Sequence, residues 1–322
     1  MSVLVYTESE EGTFKKIAFE AVSYAKGIAG QLNTSVTAVS INGNDISELG
    51  KYGASKVIKI AQSELASFNA EAYAEAISEA AKKEGSSVVI LSSSANSKFL
   101  APLLAIHLEA GFVPNVIELP LNTEPFTVKS TVFSNKAFAY SEINTATKII
   151  GLAKNSYGLV ENETSITEED FSPSLSDSDF NTKVVSVDKA TDKVTIADAD
   201  IVVSGGRGMK GPENWGMIEE LAETLGAATA CSKPVSDMGW RPHGEHVGQT
   251  GKPVSSNLYI AIGISGAIQH LAGVNSSKVK VVINNDPEAP FFKAADYGIV
   301  GDAFEIVPQF TEKLKAFKAQ NV

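Results

Sequence analysis

Apolar positions in the first half of the chain alternate between two periods. Residues 3–6, 35–41, 57–60 and 87–91 are short apolar runs, several of them rich in β-branched residues, and their length predicts buried strands. Between them, residues 11–29 carry Phe14, Ile17, Ala18, Ala21, Ala25 and Ile28 at helical spacing. Residues 70–83 form an alanine-rich stretch of the same period, and a further helix is expected from Ala95 to about Ala110. The strand–helix alternation predicts a mainly parallel sheet with helices on both faces. From 116 to 152 the pattern shortens. Residues 126–133, 136–141 and 148–153 read as strands with little helix between them, so an antiparallel extension of the same domain is expected.

Residues 161–181 are acidic and lack a sustained apolar period, the composition of a connector. A sparse strand at 184–187 and a turn at 188–192 are expected to follow. The domains are therefore read as 1–160, a linker with connecting strands over 161–198, and 199–322.

The second domain repeats one device. Apolar strands end in small or polar residues: Ser204-Gly205-Gly206-Arg207-Gly208 after 201–203, Gly263-Ile264-Ser265-Gly266 after 258–262, and Asn284-Asn285-Asp286 after 279–283. A strand at 295–301 ends at Asp302, an acid suited to ribose hydroxyls. Glycines let backbone amides approach an anion, and a following helix N-terminus adds its dipole. Arg207 supplies a cation for a phosphate or an electron-rich ring. Val247-Gly248-Gln249-Thr250-Gly251-Lys252 sets an amide and a hydroxyl between glycines. His270 lies just inside the helix that Ser265 and Gly266 are expected to open. In an open α/β sheet these tips share one edge, where ligands bind. The G-x-G-x-x-G fingerprint is absent, but a long dinucleotide suits the convergence.

Charge narrows the classes. The net charge is −11 and no stretch is rich in Lys and Arg, which argues against nucleic acid and against an anionic membrane surface. No apolar run reaches the ~20 residues of a bilayer span. Cys231 is the only cysteine, so no disulfide forms within the chain, and it is expected to be a small buried residue. His243-Gly244-Glu245-His246 offers two histidines without further ligands and is expected to be a solvated loop rather than a metal site. Ser265 in Gly-x-Ser-Gly lacks a matched histidine and acid for hydrolysis. Residues 1–6 read directly as a strand, so a cytoplasmic location is expected, or the mitochondrial matrix if a leader was removed.

The run from Tyr259 to Gly273 (YIAIGISGAIQHLAG) resembles the signature of electron transfer flavoprotein alpha subunits. Residues 247–252, 283–290 and 295–300 match as well, and the first half resembles the family in element order. The resemblance implies two α/β domains. The N-terminal one is mainly parallel and nucleotide-hydrolase-like, with an antiparallel extension; the C-terminal one is a parallel-sheet, Rossmann-like FAD-binding domain. It implies one FAD in this chain, with Arg207, Ser232 and Lys233 against it. Val247, Gly248, Gln249 and Thr250 would line the flavin, with the Thr250 hydroxyl near N5. Ser265, Gly266, Ala267, Ile268, Gln269 and His270 would hold the pyrophosphate and the pyrimidine edge, His270 facing the N1–C2=O side. Asn284 and Asp302 would take the adenosine end. The family often has an arginine where this chain has Lys233, and a lysine cannot stack as a planar guanidinium does.

As a whole, the resemblance implies an electron carrier and not an enzyme with its own substrate. It implies pairing with a beta subunit that holds AMP or a second FAD. Electrons would come from flavin dehydrogenases, such as acyl-CoA dehydrogenases of fatty acid beta-oxidation, and pass to a membrane quinone oxidoreductase or another acceptor. A self-sufficient flavin-dependent oxidoreductase and a redox-silent nucleotide-binding module are the competing readings.

Overall fold

The computed structural model describes residues 2–133, 135–187, 195–196 and 199–320. They divide into two compact units, one within Met1–Val132 and Ala137–Val187, the other within Phe133–Lys136 and Asp188–Val322. No described helix is long and apolar enough to cross a membrane.

The first unit contains β1 (Ser2–Thr7), α1 (Lys16–Gln31), β2 (Ser35–Ile41), β3 (Lys56–Ile60), α2 (Ala70–Glu84), β4 (Val88–Ser92), α3 (Ala95–His107), β5 (Gly111–Val116), β6 (Phe126–Val132), β7 (Ala137–Glu142), β8 (Lys148–Leu152) and β9 (Thr167–Asp170). Their order in the sheet is β7-β6-β5-β8-β4-β1-β2-β3-β9. Val3 and Val5 of β1 pack with α1 on one face, while Leu4 and Tyr6 pack with α2 and α3 on the other. Burial on both faces is why these strands read as continuous apolar runs. Asn69 caps α2 by accepting from the Glu71 and Ala72 amides, and Gly85 ends it in the left-handed region.

Four expectations need correction here. The helix expected from Glu11 starts at Lys16, because Glu11 and Gly12, both at positive φ, first turn a short hairpin between Ser9–Glu10 and Thr13–Phe14. Strand β8 is not part of the antiparallel extension, which holds at β5-β6-β7 and where Asn122–Thr123 pairs with β6; it runs parallel between β4 and β5. Its Ile149, Ile150 and Leu152 are buried, as a central parallel strand requires. The acidic segment also does more than connect. Its β9 adds a parallel edge strand beside β3. There Glu169 meets Lys56 at 2.6 Å and also Lys83, and Glu168 meets Lys59 at 3.3 Å. Hydrogen bonds from Lys56 and then Lys83 hold the Glu169 carboxyl down at about 2. These lysines supply partners that the segment's own sequence does not reveal. The strand expected at 184–187 is absent, Val185 being 95% exposed, and the turn expected at 188–192 lies outside the described residues.

The second unit contains β10 (Ile201–Gly205), α4 (Gly216–Leu225), β11 (Ala228–Cys231), β12 (Leu258–Ile262), α5 (Ile268–Val274), β13 (Val279–Asn284), β14 (Tyr297–Val300) and α6 (Ala303–Gln320). All its strand pairs are parallel, in the order β11-β10-β12-β13-β14. The chain leaves β10 towards β11 and then returns to β12 on the other side. The topological switch point therefore lies between the C-terminal tips of β10 and β12, the crevice where open parallel sheets take ligands.

Candidate functional site

At that switch point two glycine turns are pressed together. The Gly208 amide donates to the Gly263 carbonyl at 3.1 Å, and the Gly206 amide to Ile262 at 2.9 Å. A Cβ on Gly206 would sit 2.1 Å from the Gly263 carbonyl oxygen. Gly263 has φ +63°, a left-handed conformation that favours glycine. Gly266 has φ +85°, and its missing Cβ would fall 2.4 Å from the Phe291 amide nitrogen. Gly266 is therefore not helical, and α5 starts at Ile268 rather than at Ser265.

The turn leaves donors unused. Among the described residues, the backbone amides of Ser265, Gly266, Ala267, Ile268 and Gln269 find no acceptor in the protein. The Ser265 carbonyl instead accepts from the Phe291 amide, which ties the turn to the chain after β13. Consecutive free amides at the entry to a helix form a cradle for an anion.

A cavity of about 520 Å³ opens beside this turn, within the range of small-molecule sites. Of the residues singled out in the sequence, Arg207, Ser232, Lys233, Val247, Gly248, Gln249, Thr250, Ser265, Ala267, Gln269, His270 and Asn284 line it. Gly266, Ile268 and Asp302 do not. Gly266 backs onto Phe291, Ile268 is exposed, and Asp302 accepts from the Phe304 amide at the start of α6. Asn284 lines the cavity, but its side chain is already engaged. It donates to the Ile264 carbonyl at 3.1 Å and accepts from the Asp286 amide at 3.0 Å.

The 247–250 loop is anchored on both sides. The Val247 amide donates to Cys231 at 3.0 Å and the Gln249 amide to Gln269 at 2.7 Å. The Gln249 and Thr250 side chains are left exposed at the cavity. Arg207 and Lys233 are exposed cations on its wall. Cys231 is fully buried beneath it, and burial pushes its thiol up to about 12.

His270 is 6% exposed, with Nε2 3.0 Å from the buried Tyr259 hydroxyl. Burial first, then the neighbouring His246, lower its pKa to about 4; the Val247 carbonyl acts in the opposite direction without a hydrogen bond of normal geometry. His270 is therefore a neutral imidazole at pH 7. Ser265 makes no hydrogen bond to a histidine among the described residues, so no Ser–His pair assembles.

Reasoning from sequence missed His246. The loop expected to be solvated splits: His243 is exposed, but His246 is buried and lines the cavity. Its backbone pairing with Cys231 turns it inward. Two residues ahead of Gly-Gln-Thr-Gly the apolar pattern gives no sign of this, and proximity to that motif was the one available signal.

Comparison with known proteins places this geometry. Residues 3–172 match the family described as electron transfer flavoprotein domain, and residues 195–275 match electron transfer flavoprotein FAD-binding domain. The chain belongs to the electron transfer flavoprotein alpha-subunit family. It is 38% identical to the electron transfer flavoprotein subunit alpha of Bacillus subtilis, over 97% of each chain. Identity to that of Thermoanaerobacterium thermosaccharolyticum is 35%, over 98% of each, and to that of Pseudomonas aeruginosa 34%, over 96% of this chain and 98% of the relative. Membership makes the protein an electron-transport flavoprotein, a carrier rather than a catalytic enzyme.

Proposed function

We propose that the cavity at the switch point of the second unit holds the flavin of one FAD, and that this chain passes electrons as the alpha half of a heterodimer. The observation that carries this reading is the five consecutive free amides at Ser265–Gln269, beside a cavity walled by two cations and two histidines. The donor set suits the cofactor: an anion cradle for a pyrophosphate, and polar side chains for a ring edge. Bound FAD supplies one- and two-electron redox chemistry at its isoalloxazine ring.

The residues divide the work. The Ser265–Gln269 amides hold the pyrophosphate without calling on a side-chain charge. Gln249 and the Thr250 hydroxyl reach the ring edge from a loop already fixed by Cys231 and Gln269. Ser232 contacts the flavin from the tip of β11. Arg207 and Lys233 provide positive charge that favours electron-rich states, and each ~1.4 kcal/mol of such preference is tenfold in population. His270, neutral and fixed by Tyr259, orients the pyrimidine edge by hydrogen bonding and dipole rather than by charge. Asn284 positions the turn, and Asp302 at the tip of β14 takes the adenosine end.

The partner is a beta subunit that carries AMP or a second FAD. The donors are flavin dehydrogenases, such as acyl-CoA dehydrogenases in fatty acid beta-oxidation, and the acceptor is a membrane quinone oxidoreductase or a similar protein. The site of action is the cytoplasm. The name "subunit alpha" carried by the relatives supports the heterodimer.

The test is reconstitution. Co-expressed with its beta subunit, the chain is expected to be yellow and to retain one FAD in this chain, with Thr250→Ala and Arg207→Ala shifting the flavin potential. A colourless chain that resists FAD loading defeats the reading, and so does rapid turnover of a small substrate without a partner protein.

A further inference from the structure

His246 is 2% exposed and stands one residue before the 247–250 loop. Its amide donates to the His243 carbonyl at 3.2 Å and its carbonyl accepts from the Lys252 amide at 2.9 Å, so its backbone is fixed on both sides. Its ring is not satisfied. Nδ1 is buried without a partner. A Cβ built on Gly248 would lie 3.4 Å from Nε2, which puts that nitrogen beside the cavity loop. A buried imidazole nitrogen with no hydrogen bond costs a polar group its solvation, and such a group calls for a functional explanation.

We propose that His246 is the proton acceptor of the flavin cavity, taking up a proton from water when an electron reaches the bound flavin. The inference rests on the FAD reading above. The step balances simply. A reduced flavin of the donor protein is oxidised by one electron, the flavin in this chain is reduced by it, and one N–H bond forms on His246 with a proton from solvent. Reoxidation by the acceptor reverses each change.

The groups around His246 favour this role. His243 lies in the same turn, with ring centroids 5.5 Å apart. Lys233 and Asp237 face it from the helix Lys233–Asp237 and His270 from α5, and its backbone pairs with Cys231 of β11. Glu245 is committed to Arg241 at 2.7 Å. Burial, then His243, hold His246 below the ordinary histidine value, Asp237 pulling it up and Lys233 pushing it down. It is therefore neutral at pH 7 until charge changes nearby. A new negative charge within ~4–6 Å raises such a group by roughly 1–3 units. His270, held at about 4, is already engaged at Nε2 by the Tyr259 hydroxyl.

The test uses the FAD-loaded heterodimer. Potentials are measured by spectroelectrochemistry from pH 5.5 to 8.5 in the wild type and in His246→Gln, compared at equal FAD content. The expected result is a potential that falls with rising pH in the wild type and a slope at least halved in the variant. An unchanged slope overturns the proposal. Nitrogen-15 histidine NMR of the wild type, oxidised and then fully reduced with dithionite, decides independently of how the variant folds. A His246 pKa that rises by at least one unit on reduction supports the proposal, and one that does not move overturns it. Failure of the underlying reading is distinct: the wild type then takes up no FAD.

Discussion

Both sheets have a topological switch point, and only one is left open. In the first unit it lies between β1 and β4, and the chain's own next segment fills it. The buried Glu8 sits at the tip of β1 with Lys15 3.4 Å away, the Ser92 hydroxyl at the tip of β4 donates to the Ile17 carbonyl, and the Ser93 amide donates to Leu152. A buried carboxylate occupies the place, and the Ser92 hydroxyl and the Ser93 amide there find acceptors within the unit. In the second unit the matching place has glycines, unused amides and exposed cations. Strand order thus creates the crevice, while the residues at the tips decide whether a ligand or the protein itself completes it.

The comparison can be broken at its strongest point by closing the open crevice. Gly206→Val drives a branched side chain into the Gly263 backbone, and its φ is not the obstacle; space is. The expected outcome is a loss of roughly 3 kcal/mol or more in the second unit and loss of FAD, read by denaturant unfolding and flavin content. Full FAD retention would show that the contact between the two turns is dispensable.

Acid sharpens it next. His270 has its folded pKa depressed from 6.5 to about 4, so the unfolded chain takes up the proton first as pH falls. Between about 6.5 and 4 the FAD-free second unit is expected to lose about 3 kcal/mol, with no effect of this residue above that window. Unfolding titrations of the wild type and His270→Asn across the window check this; parallel curves would deny His270 its buried, neutral state.

The smallest effect belongs to a glycine with no such role. Gly30, near the end of α1, has open space where its Cβ would be, and its φ is not left-handed. Gly30→Ala is expected to stabilise by roughly 0.5–1 kcal/mol and to leave flavin content unchanged, read by thermal unfolding. Equal damage from Gly30→Ala and Gly206→Val would erase the distinction between a tip glycine and an ordinary one.

What the sequence conveyed follows from range. Strand tips such as Gly205-Gly206-Arg207 and Gly263-Ile264-Ser265 are local signals, and most of the residues they pointed to line one cavity. Signals that depend on distant partners were weaker. The acidic residues of β9 read as a solvated connector because Lys56, Lys59 and Lys83 lie far away in the chain. Strand β8 has an apolar run that fits either an edge or a centre, and only its pairing with β4 and β5 decides. His246 looked like surface because its burial comes from a backbone bridge to Cys231, fifteen residues earlier. Helix starts moved by a few residues where positive φ at Gly12 and Gly266 kept the backbone out of the helical region.

The anchoring of residues 247–250 carries a consequence for uptake. With Val247 hooked to β11 and Gln249 to the Gln269 carbonyl, the loop backbone is held by the protein's own hydrogen bonds. Little chain entropy remains to be surrendered when the cofactor docks, so contacts made there go into holding it tightly instead of organising the protein. A backbone held in this way lowers the entropic cost of keeping a bound group in place.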